Sequence, residues 1–75
     1  MATIRKLKEG SLSKHSSHTE VDATYSLFST AEGPFLQIDT YGSKDRKLVG
    51  KKSQTIRFSP ESLIVLKDIL KSIKI

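Results

Sequence analysis

The sequence contains no cysteine among its 75 residues and only two histidines. Disulfides and thiolate-bound metals are therefore excluded as supplements to the hydrophobic core. His15 and His18 lie three residues apart, but no cluster of further ligands accompanies them. We interpret both as solvated side chains rather than as a metal site, and we expect no metal or other cofactor.

Long hydrophobic runs are also missing. No apolar stretch approaches the roughly 20 residues that a membrane-spanning helix requires. Near the N-terminus, charged residues separate Ile4 from Leu7, unlike the apolar stretch of a signal peptide. We therefore expect an intracellular protein of the cytoplasm, nucleoid or nucleus, with no membrane partner.

The sequence offers little for catalysis. It has no cysteine nucleophile, and the stretch between Gly42 and Gly50 lacks the Gly-Lys-Ser/Thr ending of a phosphate loop. Asp39 and Asp45 are candidates for the paired carboxylates of a metal nuclease, but carboxylates beside a basic stretch more often form ion pairs. A domain of this length also rarely encloses the cleft that a general base needs. We expect neither an enzyme nor a small-molecule substrate.

Positive charge is what the sequence has in excess, since 13 Lys and Arg against 8 Asp and Glu give a net charge of +5. Residues 42–58 alone hold six cations and one acid, a net charge that equals that of the whole chain. The six cations are Lys44, Arg46, Lys47, Lys51, Lys52 and Arg57. This concentration favours an anionic partner: nucleic acid, an acidic protein or a membrane surface.

Seventy-five residues make one small domain, which buries only roughly 60% of its unfolded surface. Because only 36% of the residues are apolar, the thin core predicts oligomerisation. We divide the chain into a basic, Ser-rich flexible tail, residues 1–20, and a folded domain, residues 21–75. Residues 3–8 are either a short first strand or part of the tail.

Alternating apolar and polar residues predict three strands, at residues 21–29, 35–41 and 53–58. Gly33 and Pro34 indicate the turn of a hairpin between the first two. Ser59-Pro60-Glu61 has the N-cap hydroxyl, early proline and first-turn acid that begin a helix with a Leu- and Ile-rich stripe. The expected fold is α+β (ββββα): an antiparallel sheet of three to four strands with one face against a C-terminal helix.

The same alternation assigns two sets of side chains to opposite faces of the sheet. The set predicted to face the helix, here called the apolar face, is Tyr25, Leu27, Leu36, Ile38, Ile56 and Phe58. The set predicted to be open, here called the aromatic face, is Phe28, Phe35, Gln37, Asp39, Tyr41, Thr55 and Arg57.

The aromatic face has the residue types that bind unpaired nucleic-acid strands, which lie in cationic grooves with their bases stacked on aromatic rings. We predict a nucleic-acid-binding site formed by the six cations together with Phe28, Phe35 and Tyr41. The basic stretch taken by itself is also explained as a solvated turn. Each ring taken by itself is equally explained by packing in a core or a dimer interface.

The order of these motifs resembles the positive cofactor four family of transcriptional coactivators and their single-stranded-DNA-binding domain. The resemblance covers residues 23–71. It rests on the strand Phe35-Leu36-Gln37-Ile38-Asp39-Thr40-Tyr41, a polar loop, Gly50-Lys51-Lys52-Ser53-Gln54-Thr55-Ile56-Arg57-Phe58, and the helix start at Ser59-Pro60-Glu61.

The resemblance implies a four-stranded antiparallel sheet, a homodimer joined through the helices, and single-stranded DNA or unwound duplex bound along the sheets. It implies groove positions for Lys51, Lys52 and Arg57, and a strand-end position for Tyr41. The chain departs from the family pattern at Ser53, where the family usually has glycine, and in the helix, where aliphatic residues replace an aromatic one. The family's first strand would fall at residues 4–8 or 17–21.

We therefore expect non-specific binding of single-stranded or melted DNA by a homodimer, in support of transcription, replication or repair. Ile64 is an apolar residue on the polar side of the helix, and we predict that it forms the dimer interface together with Leu63 and Lys67. The alternative function is a small dimeric protein-interaction module whose basic loop binds an acidic partner.

Overall fold

The computed structural model describes residues 1–42 and 52–75, with the backbone alone at positions 52 and 53. Four strands are followed by one helix: β1 (Ala2–Ile4), β2 (Ala23–Thr30), β3 (Gly33–Tyr41), β4 (Lys52–Phe58) and α1 (Pro60–Ser72). The expected α+β fold, with a four-stranded sheet and a C-terminal helix, is confirmed. No helix among the described residues has the length and hydropathy needed to cross a membrane.

Strands β2 and β3 form an antiparallel hairpin in which Thr30 pairs with Gly33. Only residues 31–32 lie outside the strands, so the turn is tighter than the predicted one and β3 begins earlier. Gly33 has a φ angle of +126°, which side-chain-bearing residues rarely adopt, and a Cβ there would lie 3.3 Å from Cγ of Pro60. Glycine at this position therefore permits both the turn and the close approach of the helix start.

The sheet has the order β1-β4-β3-β2 and is mixed rather than antiparallel. Strand β4 pairs antiparallel with β3, but β1 pairs parallel with β4, with Ala2 opposite Ile56 and Ile4 opposite Phe58. The prediction of an all-antiparallel sheet was therefore wrong for β1. Parallel pairing is possible because residues 5–22 provide a connection long enough to cross from one edge of the sheet to the other.

The first strand also differs in position from the sequence prediction. Residues 2–4 are a strand rather than part of a tail, and neither residues 4–8 nor residues 17–21 form the first strand as suggested by the family resemblance. The Ser59 backbone N–H donates to the Ile4 carbonyl oxygen at 3.1 Å, which fixes the end of β1 beside the start of the helix. A strand of three residues is too short to be identified by alternation.

Helix α1 begins where the sequence predicts. Ser59 is the N-cap residue, and its hydroxyl oxygen accepts from the Ser62 N–H at 3.3 Å. The Ser62 hydroxyl donates to the Ser59 carbonyl oxygen at 3.0 Å, and both serines are buried. The cap satisfies the Ser62 N–H, one of the backbone donors that a helix N-terminus leaves unpaired.

The distribution of buried side chains reverses part of the prediction. Tyr25 and Leu27, expected to pack against the helix, are 73% and 71% exposed. The rest of the apolar face is half-buried, whereas Phe35, Asp39 and Thr55 of the aromatic face are buried. The helix packs mainly on β3 and β4. One helix is about 10 Å wide and strands lie about 4.8 Å apart, so it covers two strands and leaves β2 bare.

Candidate nucleic-acid interface

The strand register brings the predicted residues of the aromatic face together. Phe28 on β2 is directly opposite Phe35 on β3, and Gln37 on β3 is directly opposite Arg57 on β4. Side-chain contacts described below confirm that these residues share one face. The face thus combines aromatic rings, a cation and a polar network.

Two phenylalanines and two arginines form a stack at one end of this face. The rings of Phe28 and Phe35 are stacked, with centroids 5.4 Å apart and planes inclined by 14°. The Arg57 guanidinium carbon lies 5.2 Å from the centroid of Phe28, and that of Arg5 lies 5.7 Å from the centroid of Phe35. Both distances are within the range of cation–π attraction.

Phe35 is 6% exposed, because Phe28 and Arg5 lie against it. Phe28 is half-buried and retains accessible surface. A base can therefore contact Phe28 without any rearrangement of the aromatic face. It can contact Phe35 only if the Arg5 side chain moves away.

Arg5 is held in place by two carboxylates. Its guanidinium donates to both oxygens of Glu32, at 3.0 and 3.4 Å, and lies 3.6 Å from a carboxylate oxygen of Glu61. The hydrogen bond with Glu32 raises the pKa of Arg5 above its ordinary value. The segment after β1 is thus tied to the β2–β3 turn and to the first turn of the helix.

Sequence reasoning missed Arg5, which it assigned to the tail. Its partners follow 27 and 56 positions later in the chain, so no local pattern connects them. The strand Ala2–Ile4 is what brings Arg5 to this end of the sheet.

A hydrogen-bonded network occupies the middle of the aromatic face. The Thr55 hydroxyl donates to Oδ1 of Asp39 at 2.7 Å, and Nε2 of Gln37 donates to both carboxylate oxygens at 3.1 Å. Nε of Arg57 donates to Oε1 of Gln37 at 2.7 Å. Asp39 is 3% exposed, so its carboxylate is a buried acceptor rather than a surface charge.

Tyr41 lies at the far end of β3, next to an irregularity in the β3–β4 register between Thr40 and Tyr41. Its hydroxyl is 3.1 Å from Oγ1 of Thr24, and its backbone N–H donates to the Asp22 carbonyl oxygen at 3.0 Å. The ring is half-buried. Its polar end is therefore anchored to β2.

Of the six predicted cations, the structure places the side chain of Arg57, which is exposed on the aromatic face. Lys44, Arg46, Lys47 and Lys51 lie outside the described residues. Lys52 begins β4, and its backbone alone is described. The described residues contain no group of three His, Cys, Asp or Glu side chains that could hold a metal ion.

Exposed apolar side chains lie on both the apolar face and the helix. The predicted dimer contacts Ile64 and Lys67 are exposed, Ile64 at 67%, and Leu63 is half-buried. Further exposed apolar side chains accompany them: Tyr25, Leu27, Val65, Ile69, Leu70 and Ile73. Because the sequence analysis predicted Tyr25 and Leu27 as core residues, it did not identify them as part of an exposed apolar surface.

Comparison of the chain with protein families, with curated proteins and with solved structures gives no match. The resemblance to the positive cofactor four family therefore stays a prediction.

Proposed function

We propose that this protein binds single-stranded or melted DNA without sequence specificity, along the aromatic face of its sheet. The observation that carries the proposal is an exposed arginine, Arg57, lying against the half-buried ring of Phe28 on the face that also holds Tyr41. A cation beside accessible aromatic surface suits a chain of phosphates and unpaired bases.

Binding would combine two contributions. Phosphates would be neutralised by Arg57 and by the cations of residues 42–52, with release of counterions. Bases would stack on Phe28 and Tyr41, and on Phe35 once Arg5 moves, each stack contributing about 1–3 kcal/mol. Because stacking does not distinguish bases, this chemistry supports binding of any unpaired sequence.

We further propose that the protein acts as a homodimer joined through the apolar face and the helix. Within the single chain, Leu27 on the apolar face is 71% exposed and Ile64 on the helix is 67% exposed. Pairing two copies would bury such uncovered apolar side chains.

The test is fluorescence anisotropy with labelled oligo-dT at about 50 mM salt, repeated at rising salt. Wild-type protein should bind, with an affinity that drops steeply as salt increases. Lys51→Glu/Lys52→Glu should weaken binding severely while the melting temperature stays nearly unchanged. Lys8→Glu/Lys14→Glu makes the same charge change at exposed positions between β1 and β2 and serves as the matched control.

Absence of oligo-dT binding at protein concentrations of tens of micromolar would refute the proposal. Binding to a poly-glutamate peptide in its place would support the protein-interaction module. Unfolding of the Lys51→Glu/Lys52→Glu variant would show that these lysines are structural.

A further inference from the structure

Asp39 is an unexpected residue at the centre of a face that we propose for a polyanion, because a carboxylate there would repel phosphate. Its burial and its contacts suggest another role. Asp39 is 3% exposed and accepts hydrogen bonds from Thr55 and from Gln37. Its charge is thus directed at protein donors.

The carboxylate determines the orientation of the Gln37 amide. A carboxylate only accepts hydrogen bonds, so the nitrogen of the amide must face Asp39 and the oxygen must face away. The oxygen then meets Nε of Arg57 at 2.7 Å. The register supports this order, since Asp39 is opposite Thr55 and Gln37 is opposite Arg57.

The arrangement fixes the Arg57 guanidinium in turn. Its Nε donates to Gln37, and its guanidinium carbon lies 5.2 Å from the centroid of the Phe28 ring. Across the described part of the chain, the two terminal nitrogens of Arg57 have no hydrogen-bond partner. An arginine held in this way presents a fork of N–H donors suited to the paired oxygens of a phosphate group.

We propose that Asp39 and Gln37 are positioning residues that hold Arg57 as a fork for one phosphodiester group of the unpaired strand. The inference rests on the proposed function and deepens it by naming the group recognised. Asp39 contributes through Gln37, and Gln37 through Arg57. Neither contacts the nucleic acid itself.

The first test is Gln37→Leu, which keeps the charge and approximate size while removing the hydrogen bonds to Asp39 and to Arg57. Affinity for oligo-dT should fall on the order of tenfold, the scale of one charge-assisted hydrogen bond. Arg57→Lys, which cannot form the fork, should cost a similar factor. The double variant should be no weaker than Arg57→Lys alone, because coupled residues are not additive. The matched control is Gln54→Leu, which makes the same chemical change at an exposed position of β4, the strand of Arg57.

Asp39→Asn provides a second test, because the positioning role and the change in charge predict opposite effects on the affinity for oligo-dT. It removes a negative charge from the face, and the loss of Coulomb repulsion toward phosphate would by itself tighten binding. We expect weaker binding, because an amide at position 39 no longer fixes the orientation of Gln37. The Arg57 Nε–H signal in a nitrogen–proton NMR spectrum should shift in both Gln37→Leu and Asp39→Asn, and stay in place in Gln54→Leu.

A phosphate contact is distinguished from a base contact by oligo-dT carrying neutral methylphosphonate linkages. On that ligand, wild type and Arg57→Lys should bind alike. A tenfold difference that persists would overturn the phosphate assignment. If wild type binds oligo-dT and Gln37→Leu binds equally well, the positioning role is refuted and the proposed function is retained. If wild type does not bind oligo-dT, both the positioning role and the proposed function are refuted.

Discussion

Leu27→Ser should dissociate the proposed dimer without unfolding the protomer. Leu27 is 71% exposed in the single chain, so its replacement removes little packing within one copy. In a twofold dimer the same residue contributes twice, once from each protomer. The variant therefore separates the stability of the fold from the stability of the assembly.

The expected magnitude follows from the exposed apolar surface. Full burial of a leucine side chain contributes about 1.5–3 kcal/mol, and most of that surface is still available for an interface in this chain. Two copies together then lose about 2–4 kcal/mol, which raises the dimer Kd by roughly 30- to 1,000-fold.

Sedimentation velocity over a dilution series measures this Kd directly, and circular dichroism checks that the variant remains folded. Leu12→Ser makes the same chemical change at an exposed position in the N-terminal segment and should leave the Kd unchanged. A Kd for Leu27→Ser equal to that of wild type would refute the placement of the interface. A wild-type protein that stays monomeric at every concentration would refute the dimer.

Three further perturbations test other parts of the structure. Phe35→Ala removes the buried ring and should lower the free energy of unfolding in urea by about 3–5 kcal/mol, a large share of the roughly 4–11 kcal/mol expected for a chain of this length. Arg5→Ala should tighten binding of oligo-dT although it removes a cation, because it uncovers Phe35, whereas Lys6→Ala should weaken it slightly; weaker binding by both variants would contradict this reasoning. The pKa of Glu61 is lowered from 4.5 chiefly by the Ser59 hydroxyl, so its stabilising contribution is present above that pH and is lost as the pH falls through the lowered pKa; Glu61→Gln should flatten the pH dependence of the melting temperature in that range.

Local sequence signals predicted most of the fold. The alternation around Tyr25 and around Ile38 located β2 and β3, and Ser59-Pro60-Glu61 located the start of the helix, because each signal lies within a few neighbouring residues. The strand Ala2–Ile4 was harder to predict, and the sequence left residues 3–8 open as either a short first strand or part of the tail. The strand is short, and the parallel partner that defines it lies more than fifty positions along the chain.

The candidate site was likewise predictable only as far as local sequence patterns determine it. Alternation determines which side chains share a face, and the register confirms the neighbours Phe28 and Phe35. Alternation does not determine how deeply the side chains of a face are buried. Phe35 and Asp39 are buried by side-chain contacts across strands and by Arg5. Those contacts depend on tertiary structure, as does the exposure of Leu27.

The two proposed surfaces lie on opposite sides of the sheet. The adjacent residues Leu27 and Phe28 of β2 show this, since Leu27 points to the apolar face and Phe28 to the aromatic face. Dimerisation through the apolar face would therefore leave both aromatic faces free, and a long unpaired strand could engage two of them at once. Linked binding of this kind strengthens affinity without new contacts. Leu27→Ser should consequently bind a short oligo-dT, spanning one face, as tightly as wild type does, and a long one more weakly. Anisotropy with oligonucleotides of increasing length measures the difference, and equal weakening at every length would mean that the two faces are not independent.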